Sequence, residues 1–323
     1  MSTGGRVFSR ALQSVAVLLA MSFVIYGLMG LMPGDPIDTM ISGNPHLGST
    51  DVARLRALYG LDQPWALRWL RWLAQVLQGH LGYSRLYAKP VLAAIVPALG
   101  NTLLLMTTAL AASLLVGVPL GILASLRPGS VLDRLANLCA FVTISVPTFW
   151  LGLMLIAFFA ARLGWLPAGG LTSMVAGEGG GGLADRLRHL ALPATTLAVA
   201  GLGQYVRHMR AAMIGEVRQD YIRTAWAKGC GPARVVLAHQ LRNALIPVAT
   251  ITALEVGGLF SGALITETVF AWPGMGRLIA ESVMGNDFNL ALTGLLLATA
   301  ATLAGSIVAD LAYLWLDPRV RPS

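Results

Sequence analysis

The stretch TLLLMTTALAASLLVGVPLGILASL, from Thr102 to Leu126, contains no Asp, Glu, Lys or Arg. A helix needs about 20 predominantly apolar residues to cross the hydrocarbon of a bilayer, so this stretch alone is long enough to span one. Gly117, Pro119 and Gly121 inside it do not argue against a helix. In a membrane bundle, neighbouring helices satisfy the backbone groups that such residues free. Predominantly apolar runs with few or no charged residues also cover Ala11–Met32, Leu135–Leu163, Leu190–Val206, Ala244–Phe270 and Leu290–Leu316. The reading is an all-α, polytopic membrane bundle with about six transmembrane helices.

Composition agrees. Of 323 residues, 56% are hydrophobic and 12% charged, where a soluble domain carries about 25% charged residues. The net charge is +8, from 23 Lys+Arg against 15 Asp+Glu. Those basic residues gather between the apolar runs and form no continuous face, which excludes nucleic acid as the partner. Counted over short segments beside the spans, they place the N- and C-termini in the cytoplasm. Ala11–Met32 follows Arg6 and Arg10 and exceeds the apolar core of a signal peptide, about 7–15 residues, so it is expected to be a retained anchor. Cys139 and Cys230 form neither a disulfide framework nor a metal-spacing motif.

Three parts are expected: residues 1–32 as tail and first span, 33–100 as an external segment, and 101–323 as the core. Within the external segment, Thr50–Tyr59 and Pro64–Gln78 read as short helices. The second sets Trp65, Trp69 and Trp72 beside Arg68 and Arg71, which suits either the headgroup layer or a small lobe packed on the bundle. Gly177–Gly182 reads as an external loop.

The most informative segment is the loop at 213–243. Glu216 to Gly229 reads as a helix, Gly229 and Gly231 as its end, and Pro232 as the first turn of a second helix. Val235, Val236, Leu237, Leu241 and Leu245 give that second helix an apolar stripe. A short stiff elbow just outside the membrane is a shape that a partner's groove can grip.

The pattern Thr224-Ala225-x-Ala227-Lys228-Gly229, followed by Arg242-Asn243-Ala244-Leu245-Ile246-Pro247, resembles the EAA loop of binding-protein-dependent ABC importer permeases. Thr224 stands at the motif's acidic position, a departure. Leu31-Met32-Pro33-Gly34-Asp35-Pro36, Tyr59 to Pro64, Thr266 to Gly276 and Leu316-Asp317-Pro318-Arg319 resemble the dipeptide/oligopeptide/nickel branch of that family. The resemblance implies one peripheral N-terminal helix and a five-helix core in the bacterial cytoplasmic membrane. It implies coupling to ATPase subunits through Asp220, Arg223, Thr224, Ala225, Ala227, Lys228, Gly229, Arg242, Asn243 and Pro247. The implied partners are a second homologous permease, two cytoplasmic ATPases and an external substrate-binding protein. Relatives on this scaffold carry peptides, nickel, metal chelates or glutathione-like solutes.

No Gly-x-x-x-x-Gly-Lys-[Ser/Thr] loop occurs, so ATP and Mg are expected on the partner ATPases and no cofactor on this chain. His46, His80, His189, His208 and His239 show no ligand spacing, and no metal site is expected. Glu255, inside an apolar run, is expected to line the pathway or bond another helix. Glu267 is expected near the outer end, within reach of water, as a second pathway candidate. Asp310 is expected to pair with Arg319. The rival reading is an ion-coupled secondary transporter working through Glu255, for which no inverted repeat is evident. An intramembrane enzyme needs a convergent catalytic set inside the spans, and none is evident.

Overall fold

The computed structural model describes residues 3–31, 63–173, 181–258 and 263–316. The expected helix Thr50–Tyr59, most of the Gly177–Gly182 loop and the Asp310–Arg319 pairing lie outside the described residues.

The described residues are largely helical. Helix α1 covers Thr3–Gly30 and α2 covers Trp65–Leu77. A two-stranded hairpin follows, β1 (Tyr83–Ser84) against β2 (Lys89–Pro90). Then come α3 (Val91–Leu126), α4 (Val131–Ser145), and α5 (Thr148–Leu155), which continues as a π-helical segment, Ile156–Arg162. Helix α6 runs over Leu183–Val217, α7 over Asp220–Ala227 and α8 over Pro232–Arg234. A second π-helical segment, Val235–Gln240, carries α8 into α9 (Leu241–Gly258). Helices α10 (Leu264–Val269), α11 (Met275–Met284) and α12 (Phe288–Leu316) complete the order.

Taken alone, Ser9–Gly30, Val91–Leu126 and Phe288–Ala309 are long and apolar enough to cross a membrane. Helix α6 holds the expected run Leu190–Val206 but extends it with charged turns at both ends, including Asp185, Arg188, Arg210 and Glu216. Many large apolar side chains face outward, among them Leu115 at 76% exposure and Phe141 at 59%. In a membrane protein that exterior faces lipid.

Two expected spans are not continuous helices. Leu135–Leu163 breaks between α4 and α5, whose axes bend by 100°. Pro147 has no N–H for the helix ladder, and it drives the preceding residue out of the helical region. Val146 accordingly sits at φ −82, ψ 122. Ala244–Phe270 likewise divides into α9 and α10, with Ala263 non-helical at φ −105, ψ 67. Helix α3, in turn, starts at Val91 and so crosses the residue-100 boundary drawn from sequence.

Helices α3 and α6 run side by side in the same direction, and small residues bring them together. A Cβ built on Gly117 would lie 2.8 Å from Tyr205 Cβ, and one on Gly121 would lie 2.7 Å from Met209 Cβ. Each glycine is therefore a point where a helix surface meets its neighbour without a side chain between them. Leu105, Tyr205, Met209 and Met213, all at most 1% exposed, fill the space around this contact.

Helix α2 packs one face on the bundle. Trp69 Nε1 donates to Ser22 Oγ at 3.1 Å, and Trp65 and Trp72 stack near Phe23 and Tyr26. Its other face stays open, with Leu67 42% and Leu70 52% exposed. The bundle thus has two distinct ends. The hairpin end carries β1–β2, α11 and the starts of α3, α6 and α12. The loop end carries α7, α8 and the ends of α3 and α6.

Candidate functional site

At the loop end, Asp220–Gly229 forms the expected helix and turn. Gly229 adopts φ +76, the left-handed region where a glycine meets no steric cost. The Gly229 N–H donates to Trp226 O and the Cys230 N–H to Ala225 O, at 2.9 and 3.2 Å, closing the helix end. The elbow has a core of its own: Ile222, Ala225 and Val235 are buried against one another, with Tyr221 and Cys230 packed on them. Tyr221 OH donates to Glu216, tying α7 back to the end of α6. Gln240 Nε2 donates to Met213 O at 2.7 Å, a buried bond that fixes the second arm against α6.

This core decides which loop residues face outward. Asp220, Arg223, Thr224, Ala227, Lys228 and Gly229 are exposed, and so is Trp226. Ala225 is buried and holds the elbow together from inside. Arg223 and Asp220 approach within 3.5 Å at 78% and 96% exposure, a pair that solvent screens almost fully. Arg242, Asn243 and Pro247 lie about 15 Å or more up the second arm at helical rise. They border the elbow and are not part of its tip. Leu237 belonged to the expected apolar stripe but is 64% exposed, because Val235 and Gln240 take the inward positions.

Below the elbow, Asp133 and Arg210 lock α4 to α6. The Arg210 Nε and Nη2 both donate to the Asp133 carboxylate, and the Gly129 N–H adds a bond of 2.8 Å. The Arg210 guanidinium, followed by the Gly129 N–H, holds the Asp133 carboxyl well below its ordinary range, at about 2. Neither residue stands out in the sequence, since 77 positions separate them. The only local sign is Ser130 three residues before Asp133, a helix-start pattern.

The two intramembrane candidates part company. Glu255, on α9, accepts from Gln204 Nε2 of α6 at 2.5 Å. It lines an open cleft of about 500 Å³ whose walls include Met106, Leu110, Thr143, Thr148, Gln204 and Arg207. The buried Tyr205 hydroxyl lies beside Thr252 and near Glu255, but in no well-formed hydrogen bond. A carboxylate at mid-span costs about 2.5–3.5 kcal/mol, so its exposure to a watery cleft is the expected compensation.

Glu267 is elsewhere and does something else. It is 0% exposed, so the expectation that it reaches water is wrong. Thr102 Oγ1 donates to Glu267 Oε1 at 2.6 Å, and the Arg277 N–H donates to Oε2 at 2.9 Å. The carboxylate therefore caps the N-terminus of α11, where the helix dipole favours negative charge. A Cβ on Gly274 would collide with the carboxylate, and one on Gly276 would lie 2.8 Å from Leu264 Cα and 3.0 Å from Glu267 Oε2. Phe270 and Trp272 of the same segment are likewise buried, at 1% and 0% exposure. The motif Thr266–Gly276 thus builds a buried joint between α3, α10 and α11.

Fold and geometry together define a polytopic helical membrane protein with a stiff polar elbow at one end and a polar cleft between its helices. Residues 117–322 match the family described as binding-protein-dependent transport system inner membrane component, and the chain belongs to that family. A putative peptide permease protein of Brucella suis biovar 1 is 39% identical, with 97% of each chain covered. The oligopeptide transport system permease protein AppB of Bacillus subtilis is 35% identical, over 97% of this chain and 98% of that one. The dipeptide transport system permease protein DppB of Escherichia coli K12 is 33% identical, over 95% and 96%. Among solved structures, an inward-facing MetNI methionine ABC transporter superposes with TM-score 0.56 at 18% identity, covering 71% of this chain and 98% of that chain. That likeness bears on the fold. The chain is a multi-pass inner-membrane permease component of an ABC importer, working with ATPase and substrate-binding partners.

Proposed function

We propose that this chain forms, with a second homologous permease, the transmembrane pathway of a peptide importer. Two cytoplasmic ATPases bind ATP and Mg, an external binding protein delivers the solute, and this chain performs no chemistry. The carrying observation is the elbow: six residues of the coupling motif stand exposed on a small buried core, braced to α6 by Gln240 and Tyr221. A push on that surface reaches the spans as a rigid displacement, so ATP binding can favour one of two states of the pathway. The peptide relatives at 33–39% identity over nearly the whole chain support the substrate class. The short-loop charge balance supports termini and elbow in the cytoplasm. Glu255 lines the pathway. Glu267 is its structural joint. No observation favours the ion-coupled reading, since Glu255 faces a cleft beside an amide and has no inverted-repeat counterpart.

The test is Gly229→Asp. A Cβ there meets nothing within 4 Å, so the chain's own packing tolerates it, and the left-handed backbone costs about 1–2 kcal/mol locally. The variant is expected to reach the membrane in normal amounts, to lose most uptake, and to retain less ATPase on co-purification. Glu255→Gln, some 15 Å or more from the elbow at helical rise, is expected to retain the ATPases in full. Wild-type uptake and ATPase retention in Gly229→Asp would sink the coupling assignment.

A further inference from the structure

The cleft at Glu255 has a chemical asymmetry that its apolar walls do not require. One carboxylate oxygen of Glu255 accepts from the Gln204 amide, and among the described residues no cation pairs with either oxygen. Arg207 follows Gln204 by one turn of α6, a rise of about 4.5 Å, and lines the same cleft. Its guanidinium lies 6.0 Å from the Phe141 ring centroid and, among the described residues, pairs with no carboxylate. An unpaired anion and an unpaired cation therefore border one cavity of about 500 Å³, a volume that suits a small solute. Met106, Leu110, Ile144 and Leu197 supply the walls between them.

We propose that this cleft is a specificity filter for zwitterionic solutes, in which Glu255 receives a free ammonium group and Arg207 a free carboxylate. A dipeptide, about 7 Å between its ends when extended, is a small solute that carries both groups. Gln204 is the positioning residue: its amide holds one Glu255 oxygen and leaves the other without a cation among the described residues. The filter rests on the pathway reading above and adds a selection made by the permease itself. A solute lacking the ammonium forms no charge-assisted bond to Glu255, and discrimination against it follows from that missing interaction.

The experiment uses the assembled complex of permeases and ATPases in proteoliposomes, without binding protein, so that only the permease selects. With Cys139→Ser and Cys230→Ser as background, Thr148→Cys places a thiol on the cleft wall, and its maleimide labelling rate is the readout. Saturating alanyl-alanine is expected to slow labelling by about threefold or more, as mass action gives when most clefts are occupied. N-acetyl-alanyl-alanine is expected to give no protection, and Glu255→Gln is expected to abolish protection by alanyl-alanine. Alanyl-alaninamide is expected to protect less than alanyl-alanine, a difference that Arg207→Gln erases. Equal protection by the free and acetylated peptides, protection that survives Glu255→Gln, or no protection by either peptide overturns the filter. ATP-dependent uptake of alanyl-alanine, measured with binding protein present, tests the importer reading separately. Protection without uptake refutes that reading and leaves the filter standing, whereas uptake without protection does the reverse.

Discussion

The two ends of the bundle use carboxylates in opposite ways. At the hairpin end, Glu267 and Asp287 are 0% and 2% exposed. Glu267 caps α11, and Asp287 caps α12 through the Leu290 N–H while holding the hairpin through Ser84 Oγ and the Leu86 N–H. Every oxygen there is engaged by hydroxyls and backbone N–H groups, so those carboxylates serve the fold. At the loop end, Asp220 is 96% exposed and faces only the screened side chain of Arg223. Polar groups that the protein has satisfied hold it together, and polar groups it leaves open are available to a partner.

The contrast is broken most severely at Glu267. Glu267→Ala leaves the Thr102 O–H and the Arg277 N–H without their acceptor in a buried site, although Thr102 Oγ1 still accepts from the Met275 N–H, and each orphaned donor costs about 1–3 kcal/mol. The expected loss is about 3 kcal/mol or more, read as a lower Tm of the detergent-solubilised protein. A Tm within a degree of wild type would mean that the joint is not what holds α3 to α11.

Asp133 sharpens the comparison from the loop end, because it is a satisfied carboxylate close to the open ones. Asp133→Asn is expected to cost about 2 kcal/mol at neutral pH through its charge-assisted bonds to Arg210. Its folded pKa, about 2, lies below the ordinary value of about 3.9. The stabilisation is therefore complete above the ordinary value and lost as pH falls toward the folded one. Melting curves of wild type and Asp133→Asn are expected to differ at pH 6 and to converge by about pH 2–3. A gap that persists unchanged at low pH would show that packing, not charge, supplies it.

The smallest effect on stability is expected at Arg223. Removing one partner of a pair exposed to 78% and 96% changes stability by less than about 0.5 kcal/mol. Arg223→Ala is expected to keep the wild-type Tm while reducing binding-protein-stimulated ATPase in the assembled complex. A drop in Tm with normal stimulation would reverse the roles assigned to the two ends.

Much of this was legible in the residues. The apolar runs placed the bundle in a membrane, and the order Thr224-Ala225-x-Ala227-Lys228-Gly229 located the elbow and its turn. The breaks at Pro147 and Ala263 were not read, although Pro147 carried the signal. Hydropathy averages over a window, and a proline changes direction without changing the average. Val235 was read as part of an apolar stripe, but Ile222 and Gln240 went unnoticed, since the resemblance marks the surface a partner grips and not the core beneath it.

What the sequence by itself determined is the solvent, the approximate number of spans and the position of the loop, because these follow from local composition and short-range order. Only the tertiary structure decided that Glu255 faces a cleft and Glu267 is sealed in a joint. Both are glutamates within one expected apolar run, Ala244–Phe270, and the motif around Glu267 does not by itself show that it is buried. Their roles depend on Gln204 and Thr102, which lie 51 and 165 residues away in the chain. A carboxylate's work is set by which donors reach it, and helix packing brings those donors from distant sequence.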